Sequence, residues 1–396
     1  LFALCGHIGR KGANYHCFPT LMADTSVGES IRQADQILFS VMANDPRYAG
    51  WREDGWTDEM IVFELTRNAF AAKFLHPTTM FYYTHSDLGE WSKKNNSWDT
   101  DLKRPLSSYL KEAMDKGWQQ VHPLPTESPK ILFNFGGNFM RRVRGTEALL
   151  NGLLPKLETI VVADYRMSST ALYADYILPV GLWYEKTSVW TGGMPSMPYI
   201  AMGQEAVPPL YESKSDWEAF SLLGLKIAER AREKGLETFT YKAVDGRTRR
   251  FADVARAVTC DGLYGPGDAE AVARDTYMNA TNVEKMDWEE FKERGLAEFT
   301  SVGKSSRTVG NAGDIVPGEP LVTLTYHTQK KLPWPTLTRR MQFYIDHDWY
   351  LELGESLPVH KDSPKAGGDY PLQMTGGHTR WSTHSCMINQ SLLLHL

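Results

Sequence analysis

Between Lys130 and Pro179 the chain reads "KILFNFGGN", "RGTEALLNGLLPKLE", "TIVVAD", "SSTALYA" and "DYILP" in turn. An apolar run that stops on Gly136-Gly137-Asn138 has the pattern of a parallel strand buried on both faces and opening into a glycine turn. The next stretch is helical in spacing, the second apolar run ends on Asp164, and the third is closed by Pro179. Parallel neighbours need a crossover, so strand, helix, strand, helix, strand with short links predicts an α/β fold built on a doubly wound parallel sheet. Ligands of such a sheet sit at the carboxyl ends of its strands. That places Gly136, Gly137, Asn138 and Asp164 on the candidate surface. Glycines let a backbone approach a phosphate, and an acid on the next strand can accept hydrogen bonds from a ribose or a purine amino group. The same residues also serve as plain turn formers. Neither a Walker A lysine pattern nor a full G-x-G-x-x-G follows a strand.

Elsewhere the spacing predicts helices over 28–45 and 57–75, and "MFYYTHSDLGEW" reads as a strand and loop. Ser215 and Glu218 form a capping box for a helix running to Gly235, with Phe220, Leu223 and Ile227 on one face. "VDGRT" marks a hairpin, residues 251–300 read as amphipathic helix, and 301–320 as a surface loop. "LVTLTYH" reads as a strand, and "MQFYIDHDWYLELG" as a strand followed by a turn.

A net charge of −5 gives no reason to expect nucleic acid as a partner, and no run of about 18 apolar residues is present to span a membrane. Cys5, Cys17, Cys260 and Cys386 form no C-x-x-C pair, so neither a zinc ribbon nor an iron–sulfur cluster is predicted within these residues, and no protein metal ligand either. No G-x-S-x-G elbow supports a hydrolase. The apolar runs at Leu1 and at "SLLLHL" read as an internal fragment of a longer protein. His7, His16 and His85 are candidate site residues against an ordinary hydrogen-bonded role, whereas His347 and His360 read as surface or packing residues.

The segment "ADYRMSSTALYADYILPVGLWYEKTSVW" resembles the molybdopterin oxidoreductases of the dimethyl sulfoxide reductase family. "LCGHIGRKGANYH" is similar to the family's "G.iG..GGG" segment, with Ala13 or Asn14 in place of one glycine. "TLTRRMQFYIDHDWYLELGESLPVH" and "GGDYPLQMTGGHTRWSTHS" resemble the branch holding ethylbenzene and dimethyl sulfide dehydrogenases and the selenate, chlorate and nitrate reductases. There the pattern is usually "TLTGR", so Arg339 stands where a turn glycine is expected.

The resemblance implies a catalytic subunit holding molybdenum in two molybdopterin guanine dinucleotides. Asp164, Arg166, Ser168 and Thr170 would contact one nucleotide, with Gly136, Gly137 and Asn138 beside its phosphates. Glu185 and Lys186 would follow in the loop that closes over it, and Lys11 would reach toward substrate. Thr375, Gly376, Gly377, His378, Arg380, Trp381, Ser382, His384 and Ser385 would meet a pterin, whose fixed edge of donors and acceptors is costly to leave unpaired. The molybdenum-ligating aspartate and a [4Fe-4S] cluster would precede Leu1. Four regions are expected. Residues 1–128 belong to a cleft domain and 129–235 bind the dinucleotide; 236–320 are a helical and loop insertion, and 321–396 a strand-rich region leading into a C-terminal pterin-binding domain.

The "GGHTRW" and "DYPL" pattern and the aromatic stretches favour an ethylbenzene-dehydrogenase-like hydroxylase. Two alternatives are a respiratory oxyanion reductase and a cofactor-free wiring subunit of a respiratory complex. Implied partners are an iron–sulfur electron-transfer subunit, in some relatives a haem subunit, and a small-molecule substrate. The periplasm is implied, or the cytoplasmic face if the chain is nitrate-reductase-like.

Overall fold

A computed structural model describes residues 1–13, 21–22, 45–57, 60–61, 64–65, 78–86, 88, 102–119, 121–143, 145–190, 192–193, 197–240, 248–303, 312–334, 336, 338–360, 391 and 395. The helix expected over 28–45, most of that over 57–75, His16, Cys17, Cys386 and the crowd at 375–385 lie outside the described residues. The chain divides into two compact units, Leu1–Phe74 with Val180–Met341, and Leu75–Pro179 with Gln342–Leu396.

The second unit carries the parallel sheet. Strands β1 (Ile131–Phe135), β2 (Thr159–Asp164) and β3 (Tyr176–Pro179) lie in the order β1-β2-β3, with Leu132 opposite Ile160 and Val162 opposite Ile177. Its helices are α1 (Thr78–His85), α2 (Leu106–Asp115), α3 (Phe139–Arg142), α4 (Thr146–Ala148) and α5 (Asp348–Leu353). The crossover from β1 to β2 is α3, then α4 continued by a π turn over Leu149–Leu153 and a tighter turn over Leu154–Lys156. Ala171–Tyr173 makes the short turn before β3.

Leu149 and Leu153, fully buried, pack with Phe139 and Met140 against Leu132, and Ile160 and Val162 pack with Ala171. Each such leucine contributes roughly 1.5–3 kcal/mol by leaving water. The reading of strands buried on both faces holds for β2, where Ile160 to Ala163 are all buried. It fails for β1: Leu132 faces the helices, while Ile131 and Phe133 remain 57% and 44% exposed on the opposite face. Among the described residues the sheet has three strands, and the core clusters cover one face of it.

Three local expectations are corrected. The stretch begun at "MFYYTH" is helix α1, not strand. Helical spacing brings Phe81 within 5.1 Å of His85, one turn on, and Phe81 and Tyr82 pack on the Phe139 and Leu149 cluster. "LVTLTYH" forms no strand, because Leu324 takes a φ of +67° and starts a helical turn over Thr325–Thr328. Tyr326 and His327 are both buried, which neighbours in a one-faced strand cannot be. "MQFYIDHDWYLELG" contains α5, whose amino end is capped by His347 Nδ1 accepting from Trp349 N–H.

The first unit is built around the helix Asp216–Glu233, where Ser215 Oγ accepts the Glu218 N–H at 3.1 Å as the capping reading requires. Its packed face is Ser221, Gly224 and Ala231, whereas Phe220 and Ile227 are 43% and 38% exposed. The reason is Gly224: a Cβ there would stand 2.4 Å from Val258 Cγ2, so the neighbouring helix Ala252–Thr259 seats on the smallest residue. Thr238–Thr240 and Thr248–Arg250 pair antiparallel, the pairing that a hairpin at "VDGRT" requires. The 251–300 stretch is helical over Ala252–Thr259, Ala269–Asn279 and Trp288–Arg294, then turns to strand at Leu296–Glu298. That strand pairs with Tyr199–Gly203, and Tyr277, Phe291, Phe299 and Ile200 form the core beneath.

Candidate functional site

The carboxyl ends of β1 and β2 sit side by side, and the loops leaving them are laced together. Gly136 N–H reaches Ala163 O at 3.5 Å, carrying the ladder one residue past β1. Gly136 then turns with a φ of +66°, a conformation that favours glycine. A Cβ built on Gly136 or Gly137 would meet nothing within 4 Å, so both present open backbone. Asn134 Nδ2 donates to Gly137 O at 2.6 Å and fixes the turn from below.

Asn138 and Thr170 form the lace. Asn138 Oδ1 accepts from Thr170 N–H at 3.2 Å and from its hydroxyl at 3.0 Å, and Thr170 Oγ1 accepts the Met140 N–H at 3.1 Å. Thr170 is 1% exposed, so it works from inside. Beyond β2, Asp164 Oδ1 accepts the Arg166 N–H at 3.3 Å, and Ser168 Oγ accepts the Ala171 N–H at 3.3 Å. Asp164, Arg166 and Ser168 are half-buried. The Arg166 guanidinium has no carboxylate partner among the described residues. The sequence reading passed over Arg141 and Arg142, which are exposed on α3 directly after the glycine turn and are also unpaired among the described residues. The signal was a doubled arginine three residues past Asn138.

The other expected residues lie in the first unit. Glu185 Oε2 accepts the Leu182 N–H at 2.7 Å and caps its own turn. Lys186, whose side chain is 13% exposed, pairs with Asp216 at the start of the long helix. Lys11 is 3.7 Å from Glu319, both exposed, a pair that contributes little in water. In the nearby "GHIGRKG" turn Gly9 has a φ of +71°, and a Cβ there would stand 2.1 Å from Thr328 Oγ1, so the glycine permits a close approach. Arg339, where the family pattern has glycine, keeps a left-handed φ of +62°. Its guanidinium bonds the carboxylate of Glu64, 3% exposed, at 3.0 Å, while its buried Nη1 has no hydrogen-bond partner among the described residues.

Among the histidines, His7 is exposed, and His85 is a core residue whose Nε2 lies 2.8 Å from Pro123 O. Burial lowers the pKa of His327, which stacks on Trp334 at 4.4 Å. Cys5 is exposed and Cys260 buried; among the described residues no group of three His, Cys, Asp or Glu could hold a metal ion, and no helix is long and apolar enough to cross a membrane.

A family profile described as "Molybdopterin oxidoreductase" matches residues 1–225. The respiratory nitrate reductase alpha subunit of Haloferax mediterranei is 34% identical over 81% of this chain and 32% of its own length. The perchlorate reductase alpha subunit of Dechloromonas aromatica is 31% identical over 81% of this chain and 32% of its length. The dimethylsulfide dehydrogenase alpha subunit of Rhodovulum sulfidophilum is 30% identical over 74% of this chain and 30% of its length. The chain thus spans about a third of the length of these curated relatives. Parallel strands ending in an open glycine turn and an acid, and a profile match over more than half the residues, lead to one assignment: the chain belongs to the molybdopterin oxidoreductases, a family of molybdenum–pterin enzymes.

Proposed function

We propose that this chain is part of the catalytic alpha subunit of a respiratory oxyanion reductase. The observation that carries the reading is the 34% identity to a nitrate reductase alpha subunit across most of the chain, with a perchlorate reductase beside it. An ethylbenzene-dehydrogenase-like hydroxylase is less well supported. That expectation drew on the aromatic residues of "MFYYTHSDLGEW" and "VWTGGMPSMPY"; in the former, Phe81 and Tyr82 are half-buried against a core cluster, with Met80 and His85 buried beside them. The dimethylsulfide dehydrogenase relative keeps an oxidising direction open as the contrary outcome of a test.

The strand-end residues fit a guanine dinucleotide. Open backbone at Gly136 and Gly137 leaves room for a diphosphate, and the unpaired Arg166 supplies charge for it. Asp164 offers a carboxylate oxygen to a purine amino group, and the Ser168 hydroxyl can still donate. Asn138 and Thr170 hold the two loops in register. The pterin-held molybdenum would supply the oxygen-atom and two-electron chemistry. The protein's part here is to bind and orient, and the Thr375–Ser385 segment is assigned to the pterin side of the same cofactor. A [4Fe-4S] cluster, an iron–sulfur partner subunit and a periplasmic location follow from the same resemblance.

The experiment is to produce the full-length protein anaerobically with molybdate. Oxidation of reduced viologen is then measured with nitrate, perchlorate, chlorate and selenate, against reduction of a ferricenium acceptor with dimethyl sulfide or ethylbenzene. Turnover of an oxyanion at least a hundredfold above any oxidative turnover supports the reading. The opposite ratio overturns it, and a protein free of molybdenum and pterin points to a wiring subunit.

A further inference from the structure

We infer that α5 is a strap across α2 whose amino-terminal turn is held or released by the protonation of His347. None of the residues of α5 is buried. Apolar burial, which does not depend on pH, therefore cannot be its main hold, and the contacts are polar and aromatic. The Arg104 guanidinium lies 4.1 Å over the Tyr109 ring and bridges Glu112 on α2 to Glu352 on α5, the latter at 3.1 and 3.2 Å. Tyr109 donates to Glu352 at 2.7 Å, and the Trp349 indole N–H donates to Glu112 at 3.1 Å. Lys116 joins Glu112 at 2.7 Å to Asp348 at 3.1 Å.

At the strap's amino end His347 Nδ1 accepts the Trp349 N–H at 3.2 Å. Accepting requires a lone pair, and a protonated imidazole donates from both nitrogens. Protonation therefore removes the cap and leaves a cation at the helix end that disfavours one. Trp118 stands edge-on to His347 at 4.7 Å, and the Lys116 ammonium lies 4.4 Å from the same Trp118 ring, adding repulsion. Of the carboxylates on this side, Asp348 is paired with Lys116, and Asp346 accepts from Gln342 at 3.2 Å. Lys116 and Arg104 hold Glu112 well below the usual range, at about 2, and Tyr109 with Arg104 lowers Glu352, so both stay charged in mild acid. A proton on His347 therefore strips the cap while the ion pairs persist. The chain continues from α5 into the stretch that includes Thr375–Ser385, so the strap is the root of the segment assigned to the pterin above. Its test does not depend on that assignment.

Hydrogen exchange of the full-length protein at pH 7 and pH 5, corrected for intrinsic exchange, tests this. Loss of one cap should speed exchange of residues 348–353 about five- to tenfold at pH 5 while 159–164 stay unchanged. His347→Asn keeps a capping oxygen that takes no proton, so it should exchange slowly at both pH values. His347→Ala should exchange fast at both. The same acid acceleration in His347→Asn, or parallel acceleration of 159–164, overturns the strap.

Discussion

Replacing Arg339 by glycine sets two sizeable effects against each other, and their magnitudes decide the sign. At a φ of +62° an L-residue is strained by about 1–2 kcal/mol, which glycine relieves. The buried Nη1, unpartnered among the described residues, adds roughly 1 kcal/mol of unfavourable desolvation that also disappears. Against these stands Glu64, 3% exposed, which loses a guanidinium at 3.0 Å. Breaking a buried pair from one side costs about 3–5 kcal/mol, and the lower half applies here because the Arg339 side chain is 37% exposed. Net destabilisation of about 0–2 kcal/mol, centred near 1, is expected for Arg339→Gly. Pairing it with Glu64→Gln removes the carboxylate charge that faced the guanidinium, so the double variant should return to within about 0.5 kcal/mol of the parent or exceed it. Urea titration of the full-length protein, followed by tryptophan fluorescence, reads both, since Trp334 lies in the same turn and its N–H donates to Arg339 O at 3.1 Å. A stabilised single variant, or an equal effect with and without Glu64→Gln, would show that the ion pair does not hold this turn.

Gly9→Ala places a Cβ 2.1 Å from Thr328 Oγ1 on a left-handed backbone, so a loss above about 2 kcal/mol is expected, with partial recovery on adding Thr328→Ala; thermal melting checks both. Leu153→Ala, at a position with no exposure, should lose about 2–5 kcal/mol in the same melts. Acid should weaken the α2–α5 network late. Glu112 has a folded pKa of about 2 against an ordinary 4.5, so its contribution is complete above 4.5 and fades as pH falls toward 2. Arg104→Met should flatten that part of a pH–stability profile.

Strand β2 was legible because four apolar residues in a row, closed by an acid, suit a strand covered on both sides and little else. The Ser215 cap was legible for a similar reason, a local rule with one geometry. Helix α1 was not, since six residues of aromatic and threonine carry strand propensity, and only the fold chooses the spacing that sets Phe81 on His85. Gly224 was missed because its burial depends on Val258 arriving from another helix. At the site, Gly136 and Asp164 could be read from strand ends alone. The division of labour could not: Asn138 and Thr170 face each other across the two loops, a tertiary fact. Arg339 shows the converse, since a departure from the expected glycine left the backbone conformation in place and recruited a distant carboxylate.

The substrate question shows where side-chain type misleads. Aromatic residues in the Met80–His85 stretch argued for an apolar substrate, yet Phe81 and Tyr82 pack against a core cluster, so they report packing and not pocket polarity. Unpaired charge is the stronger evidence, because an arginine without a carboxylate is costly to retain beside buried groups unless something anionic meets it. Arg166 is half-buried and unpaired among the described residues, at the end of β2, beside the open backbone of Gly136 and Gly137. If it meets a cofactor phosphate, Arg166→Ala should lower the guanine nucleotide released per chain from the full-length protein severalfold, leaving the urea midpoint within error. Lysine at the same position should restore part of the content as a point charge without the fork. Full nucleotide content in Arg166→Ala would detach this arginine from the cofactor and leave Gly136, Gly137 and Asp164 to carry the site alone.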